Sequence, residues 1–221
     1  MINNLNILAP EIFLTLSIFL ILMIGVFNKK SFNLVFNLSS IVIIITSAII
    51  INSPNEPKKI FMDSFILDDF SNFFKILILI SSLFVINSSK IFISDSKIDK
   101  FEYPIIILIA ILGMFFMVSS NDLILFYLGL ELQSLALYIL ASIDRDNLKS
   151  SEAGIKYFVL SALSSGLLLY GCSLLYGFTG STNFDSISSQ LVNENTGAIF
   201  AMVFILVGLA FKISAVPFHM W

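Results

Sequence analysis

The chain has 221 residues, 57% hydrophobic and only 12% charged, with a net charge of −3 and a mean hydropathy of +0.97. Soluble domains carry about 25% charged residues, so this composition, set in apolar runs of membrane length, describes an integral membrane protein. It carries no basic run and no nucleic-acid motif, and no nucleic-acid partner is expected.

In chain order, seven apolar segments predict membrane helices, at about 6–28, 32–52, 71–93, 103–120, 122–142, 153–177 and 197–217. The first ends in Lys29-Lys30 rather than at a small-residue cleavage site, and residues 1–10 hold no Lys or Arg, so it reads as a retained anchor and not a signal peptide. The runs between segments are short and polar. The longest, 53–70, holds Pro54, Pro57, Lys58, Lys59, Asp63, Asp68 and Asp69 and is expected as a loop; so is 178–196, rich in Ser, Asn and Thr. The segments do not alternate in polarity, which argues against a barrel. Pro104 fits the first turn of the fourth helix. Asn121 or Asp122 in the turn Ser119-Ser120-Asn121-Asp122 is expected to cap the fifth.

Basic residues bias one set of segment ends: Lys29, Lys30, Lys90, Lys97, Lys100, Arg145 and Lys149. The opposite set carries Lys58, Lys59 and, counted with them, Lys75. This predicts the N-terminus outside and the loops at 29–31, 94–102 and 143–152 inside.

Two charges interrupt the apolar segments. Glu131 lies about ten residues into the fifth, roughly 15 Å deep, with nothing ionisable within a helical turn. Its partner must come from another helix. Alone it would take up a proton, because burial disfavours the charged form; a nearby lysine opposes this. Lys212 lies deep in the last segment, and a charge there costs from about 3 kcal/mol upward. Pro217 follows five residues later and is expected to leave the carbonyl of Ile213 without its helical donor, breaking the helix near Pro217. His219 can relay protons near neutral pH, and its facing depends on that break. The grouping reads as an ion or proton site. The static alternatives are a buried pair that only fixes packing and a lysine snorkelling at a helix end.

Lys156, four residues after Glu152, is on physical grounds an ordinary i,i+4 pair. Gln133, Ser134, Tyr138, Ser161, Ser164 and Ser165 can hydrogen-bond between helices or hold water, and are expected mainly to pack helices. Cys172, the single cysteine, reads as a small buried apolar residue. No metal, haem, flavin, nucleotide or iron–sulfur spacing is found, so no redox centre is expected in this chain.

Several stretches together carry a family resemblance: Ser119-Ser120-Asn121-Asp122; Leu128-Gly129-Leu130-Glu131-Leu132-Gln133-Ser134; Glu152-Ala153-Gly154-Ile155-Lys156-Tyr157-Phe158; Ser161-Ala162-Leu163-Ser164-Ser165-Gly166; and Gly208 through Lys212, Pro217 and His219 to Trp221. They resemble the antiporter-like membrane subunits of NADH:quinone oxidoreductase, respiratory complex I, and within them subunit N. The match is dense over about 119–221 and looser before it. The lysine–proline–histidine signature is shared with Mrp-type sodium/proton antiporters.

The resemblance implies an all-α polytopic transmembrane helix bundle of about seven helices, the last broken near Pro217. Residues 1–102 would hold three N-terminal helices, and 103–221 the start of a proton-channel repeat. Glu131, Lys156, Lys212 and His219 would take part in proton translocation. NADH, FMN, iron–sulfur clusters and quinone would belong to other subunits. The partners implied are the other membrane-arm subunits and the lipid bilayer, and the location a bacterial or mitochondrial inner membrane. The chain stops within the signature and is expected to be a fragment lacking the family's later lysines. A sodium-moving antiporter subunit and a non-catalytic membrane scaffold are the rival readings.

Overall fold

A computed structural model describes residues 7–28, 31–53, 57–95, 100–191 and 196–218. The elements are α1 (Ala9–Phe27), α2 (Ser31–Ile51), β1 (Lys58–Ile60), β2 (Phe65–Leu67), α3 (Asp69–Asp95), α4 (Glu102–Val118), α5 (Leu123–Ala141), α6 (Leu148–Thr179), α7 (Phe184–Gln190) and α8 (Thr196–Lys212). Lipid offers no partner to backbone N–H and C=O groups, so apolar segments of this length satisfy them internally as helices. Among the described residues, five helices are long and apolar enough to cross a membrane, and α4 and α8 are shorter apolar helices. All seven expected segments are therefore present as helices.

Two packing groups share α4. On one side α1, α2 and α3 close around Leu14, Phe36, Ile43, Leu79 and Ile86 together with Leu108, Ile111 and Phe115 of α4. On the other, α5, α6 and α8 enclose Leu130, Leu168, Leu175, Ala198 and Ala201. Cys172 is buried in this second core, the small apolar role expected of it. Large side chains such as Phe19, Leu20, Phe73 and Phe84 are exposed, as a lipid-facing surface requires.

The α4–α5 contact fixes the depth and rotation of Glu131. A Cβ on Gly129 would sit 2.7 Å from the backbone nitrogen of Met117 and 2.8 Å from the carbonyl oxygen of Gly113. Small residues let the two backbones touch. Gly129→Ala should force the helices apart, at about 1–3 kcal/mol for overpacking, and lower the amount of protein held in membranes; an immunoblot of the membrane fraction checks this.

Two features arise where only loops were expected. Within 53–70, β1 and β2 pair antiparallel, with Lys59 opposite Ile66 and Ile60 opposite Phe65. The tip runs through three consecutive left-handed residues, Phe61, Met62 and Asp63 (φ 54°, 54° and 64°). Within 178–196, α7 forms with Asn183 as its cap. The hairpin is stitched to the α4–α5 turn by Ile66 N–H to the Ser119 carbonyl (2.8 Å) and Asn121 N–H to the Ser64 carbonyl (2.8 Å). Lys59 pairs with Asp185 of α7 at 2.7 Å. That hydrogen bond holds the Asp185 carboxyl below the usual carboxylate range and raises the Lys59 ammonium above its own. Of the two cap candidates, Asp122 takes the role, accepting from Ile124 N–H at 2.8 Å.

Candidate functional site

Glu131, Ser134 and Tyr138 recur at i, i+3 and i+7 along α5 and so lie on one face of the helix. Ser161 and Ser165 do the same at i, i+4 on α6. Lys212 is the last residue of α8 and reaches across to both. Its Nζ donates to Glu131 Oε1 at 3.0 Å, making an ion pair whose side chains are 11% and 20% exposed. The same Nζ lies 3.0 Å from Ser134 Oγ, 3.1 Å from Tyr138 OH and 3.0 Å from Ser161 Oγ. Ser165 Oγ donates to Glu131 Oε1, and Tyr138 OH and Ser161 Oγ share a further hydrogen bond.

An ammonium has three donors, so four acceptors saturate it. Three of the four are hydroxyls, which both accept and donate. The same cage can therefore turn one of its O–H groups toward the lone pair of a neutral amine. A cavity of about 210 Å³ opens beside the pair, lined by Gln133, Ser134, Ser161, Ser164 and Lys212 among apolar residues. It has room for several waters at about 30 Å³ each.

The partner that Glu131 needed from another helix is thus Lys212. Ser134, Tyr138, Ser161 and Ser165, expected mainly as packing residues, form the polar cage. Ser164 does pack, donating to the Gly208 carbonyl of α8 at 3.0 Å. The break expected near Pro217 is present and falls five residues before the proline. The helix ends at Lys212, and Ser214 (φ 53°) sits in the left-handed position of a C-terminal cap. Ser214 N–H reaches the Phe211 carbonyl (3.1 Å) and Ala215 N–H the Ala210 carbonyl (2.9 Å), the paired bonds of a Schellman motif. Pro217 disfavours the helical region for Val216, and the chain has already turned out three residues earlier. The argument from an orphaned Ile213 carbonyl inside a continuing helix therefore does not apply. The negative end of the α8 dipole falls instead at the lysine itself.

Lys156 is not brought to the cluster. It pairs with Glu152 on the surface of α6, the two side chains 67% and 62% exposed. His219 lies outside the described residues. Lys75 is a second correction. Counted from sequence with the surface lysines, it is fully buried and pairs with Glu11 at 2.6 Å. It sits only six residues into α3, so on a linear reading it passes for a helix-end charge. Glu11, in the first turn of α1, looks like an ordinary helix-start acid.

Residues 120–221 match the transmembrane family of NADH:quinone oxidoreductase and Mrp antiporter subunits. NADH-quinone oxidoreductase subunit N of Pelagibacter ubique is 56% identical over 99% of this chain, which corresponds to 47% of the relative. A chain of respiratory complex I from Thermus thermophilus superposes with a TM-score of 0.80 at 28% identity, over 96% of this chain and 45% of that one. A chain of the Mrp complex of Dietzia sp. DQ12-45-1b has a TM-score of 0.76 at 22% identity, covering 98% and 42%, and shares the fold. Over residues 120–221 the chain is similar to this NADH:quinone oxidoreductase/Mrp antiporter family, and it spans about half the length of the curated relatives it matches.

Proposed function

We propose that this chain supplies part of a proton half-channel in the membrane arm of a proton-translocating NADH:quinone oxidoreductase, with Glu131 and Lys212 as its switching pair. The supporting observation is the hydroxyl cage around Lys212 Nζ, which can hold the side chain both as ammonium and as amine. While Glu131 stays close, the ammonium is favoured. When the carboxylate withdraws, the ammonium loses its counter-charge, and a proton can pass from Nζ to water in the adjoining cavity. One of the Ser134, Tyr138 and Ser161 hydroxyls then rotates to donate to the single lone pair of the neutral amine, while the others accept from its two N–H groups. NADH, flavin, iron–sulfur and quinone chemistry belongs, on this reading, to other subunits of the complex. His219 is proposed as the next proton-accepting group after the turn. Lys156, outside the cage, is proposed to act only through charge coupling with Glu152. The decisive experiment is proton pumping by assembled complexes carrying Lys212 and Glu131 substitutions.

The location proposed is a bacterial inner membrane with the N-terminus outside, from the lysine bias. In a Cys172→Ser background, Asp146→Cys should be protected from an impermeant external thiol reagent in whole cells, and Ser188→Cys should react. The reverse pattern would overturn the orientation.

A further inference from the structure

Glu11 and Lys75 lie outside the region matched by the family model, and the switching pair does not involve them. Both are buried, at 1% and 0% residue exposure. Lys75 Nζ is held at 2.6 Å by Glu11 Oε1 and lies 5.1 Å from the Phe65 ring centroid and 5.7 Å from that of Phe115. Glu11 Oε2 is buried and has no hydrogen-bond partner among the described residues. A pair serving only to hold helices together gains most when the remaining lone pairs of the carboxylate are also satisfied. Here one oxygen is left over.

Glu11 lies in the wall of a cavity of about 400 Å³, formed with Leu8 and Thr15 of the α1 region, Phe61 and Phe65 of the hairpin and Leu125 of α5; Oε2 itself is buried behind that wall. Phe61, at the exposed hairpin tip, is 59% accessible, so the cavity opens at the molecular surface beside the hairpin. Thr15 and Ser64 also line it, their hydroxyls donating to the backbone carbonyls of Glu11 and Phe61, and its volume admits several waters at about 30 Å³ each. Among the described residues, Glu11 is the only charged group lining it, and Lys75 of α3 the only charged group bonded to Glu11. Asp63 at the hairpin tip is exposed, and its backbone carbonyl accepts from Asn121.

We propose that Glu11 and Lys75 form a second proton-exchanging pair, a port through which water on the hairpin face reaches a buried carboxylate. The chemistry needs only water and the pair. A hydronium in the cavity gives its proton to Glu11 Oε2, leaving a neutral carboxylic acid, a water and one uncompensated positive charge on Lys75. Loss of the same proton to water restores the ion pair. Leu125 of the cavity wall precedes Glu131 on α5 by six residues, about 9 Å along the helix, so a change of net charge at the port is felt at the switching pair. Only this last link rests on the function proposed above.

Two measurements on the assembled membrane complex test it. Thr15→Cys, in a Cys172→Ser background, should react with a small membrane-impermeant thiol reagent added from the hairpin side; no reaction means no aqueous access and overturns the port. Glu11→Gln combined with Lys75→Gln removes both charges and keeps hydrogen-bonding side chains. A structural pair predicts wild-type assembly and pumping for this variant. The port predicts normal assembly with pumping reduced at least about tenfold, the scale of one positioned proton acceptor. Glu131→Ala is measured alongside. Normal pumping in the double variant with loss in Glu131→Ala overturns the port and leaves the switching pair standing. Loss in the double variant with normal pumping in Glu131→Ala does the reverse.

Discussion

Lys212→Arg should assemble into the membrane complex yet pump protons at least about tenfold more slowly than wild type, because a guanidinium does not deprotonate in a protein. The positive charge, and with it the ion pair to Glu131, is kept. What is lost is the neutral state that the Ser134, Tyr138 and Ser161 hydroxyls can accommodate at 3.0–3.1 Å. Lys212→Ala should also stop pumping. It strands Glu131 without its partner, and breaking a buried pair costs about 3–5 kcal/mol, an upper figure here because the Glu131 side chain keeps 20% exposure. The arginine variant is therefore the cleaner test. A scaffold role predicts that retained charge preserves both packing and pumping. Near-normal pumping by assembled Lys212→Arg would falsify the shuttle and leave Lys212 as a fixed charge.

Glu131→Ala should likewise leave the complex assembled while lowering NADH-driven proton pumping and coupled quinone reduction together. The ammonium of Lys212 then keeps three hydroxyl acceptors but loses the counter-charge whose approach and withdrawal set its proton affinity. Glu131→Asp keeps the carboxylate on a side chain one methylene shorter, so it should retain part of the activity. Its reach to Nζ, 3.0 Å for the native side chain, becomes the limiting feature. Pumping by Glu131→Ala at the wild-type rate, measured in sealed vesicles beside an assembly control on a native gel, would sink the ion-pair switch.

The two substitutions are coupled through one contact, so their effects should not add. A Glu131→Ala/Lys212→Ala double variant should pump no worse than the poorer single variant. It should assemble better than Lys212→Ala alone, because no unpaired carboxylate is left buried.

Much of this was legible in one dimension. The cost of placing a charge in an apolar run is a local property, so Glu131 and Lys212 stood out from their neighbours without any fold. Length and polarity alone marked the seven spans, because a lipid-facing backbone must bond internally and only helices of that length do so. The cap at Asp122 and the apolar role of Cys172 were equally local. Lys75 shows where that reading fails. Near a segment end, a lysine bound for solvent and one bound for a buried pair look the same in sequence. Only the packing of α3 against α2 and α4 separates them, bringing Lys75 to 2.6 Å from Glu11 of α1. The hairpin was equally hidden. Its strands are three residues each, too short for a period to show, and they exist because Ser119 and Asn121 of a distant turn supply hydrogen-bond partners.

The sequence by itself determined that this is a multi-span membrane protein with two charges it can ill tolerate alone. The tertiary structure decided that those charges meet, across 81 residues of chain, within a ring of hydroxyls that the sequence offered mainly as packing residues. It also decided that the last helix stops at the lysine rather than at the proline. The reason is common to both: the cost of burying a charge is written along the chain, whereas its relief depends on which helices touch.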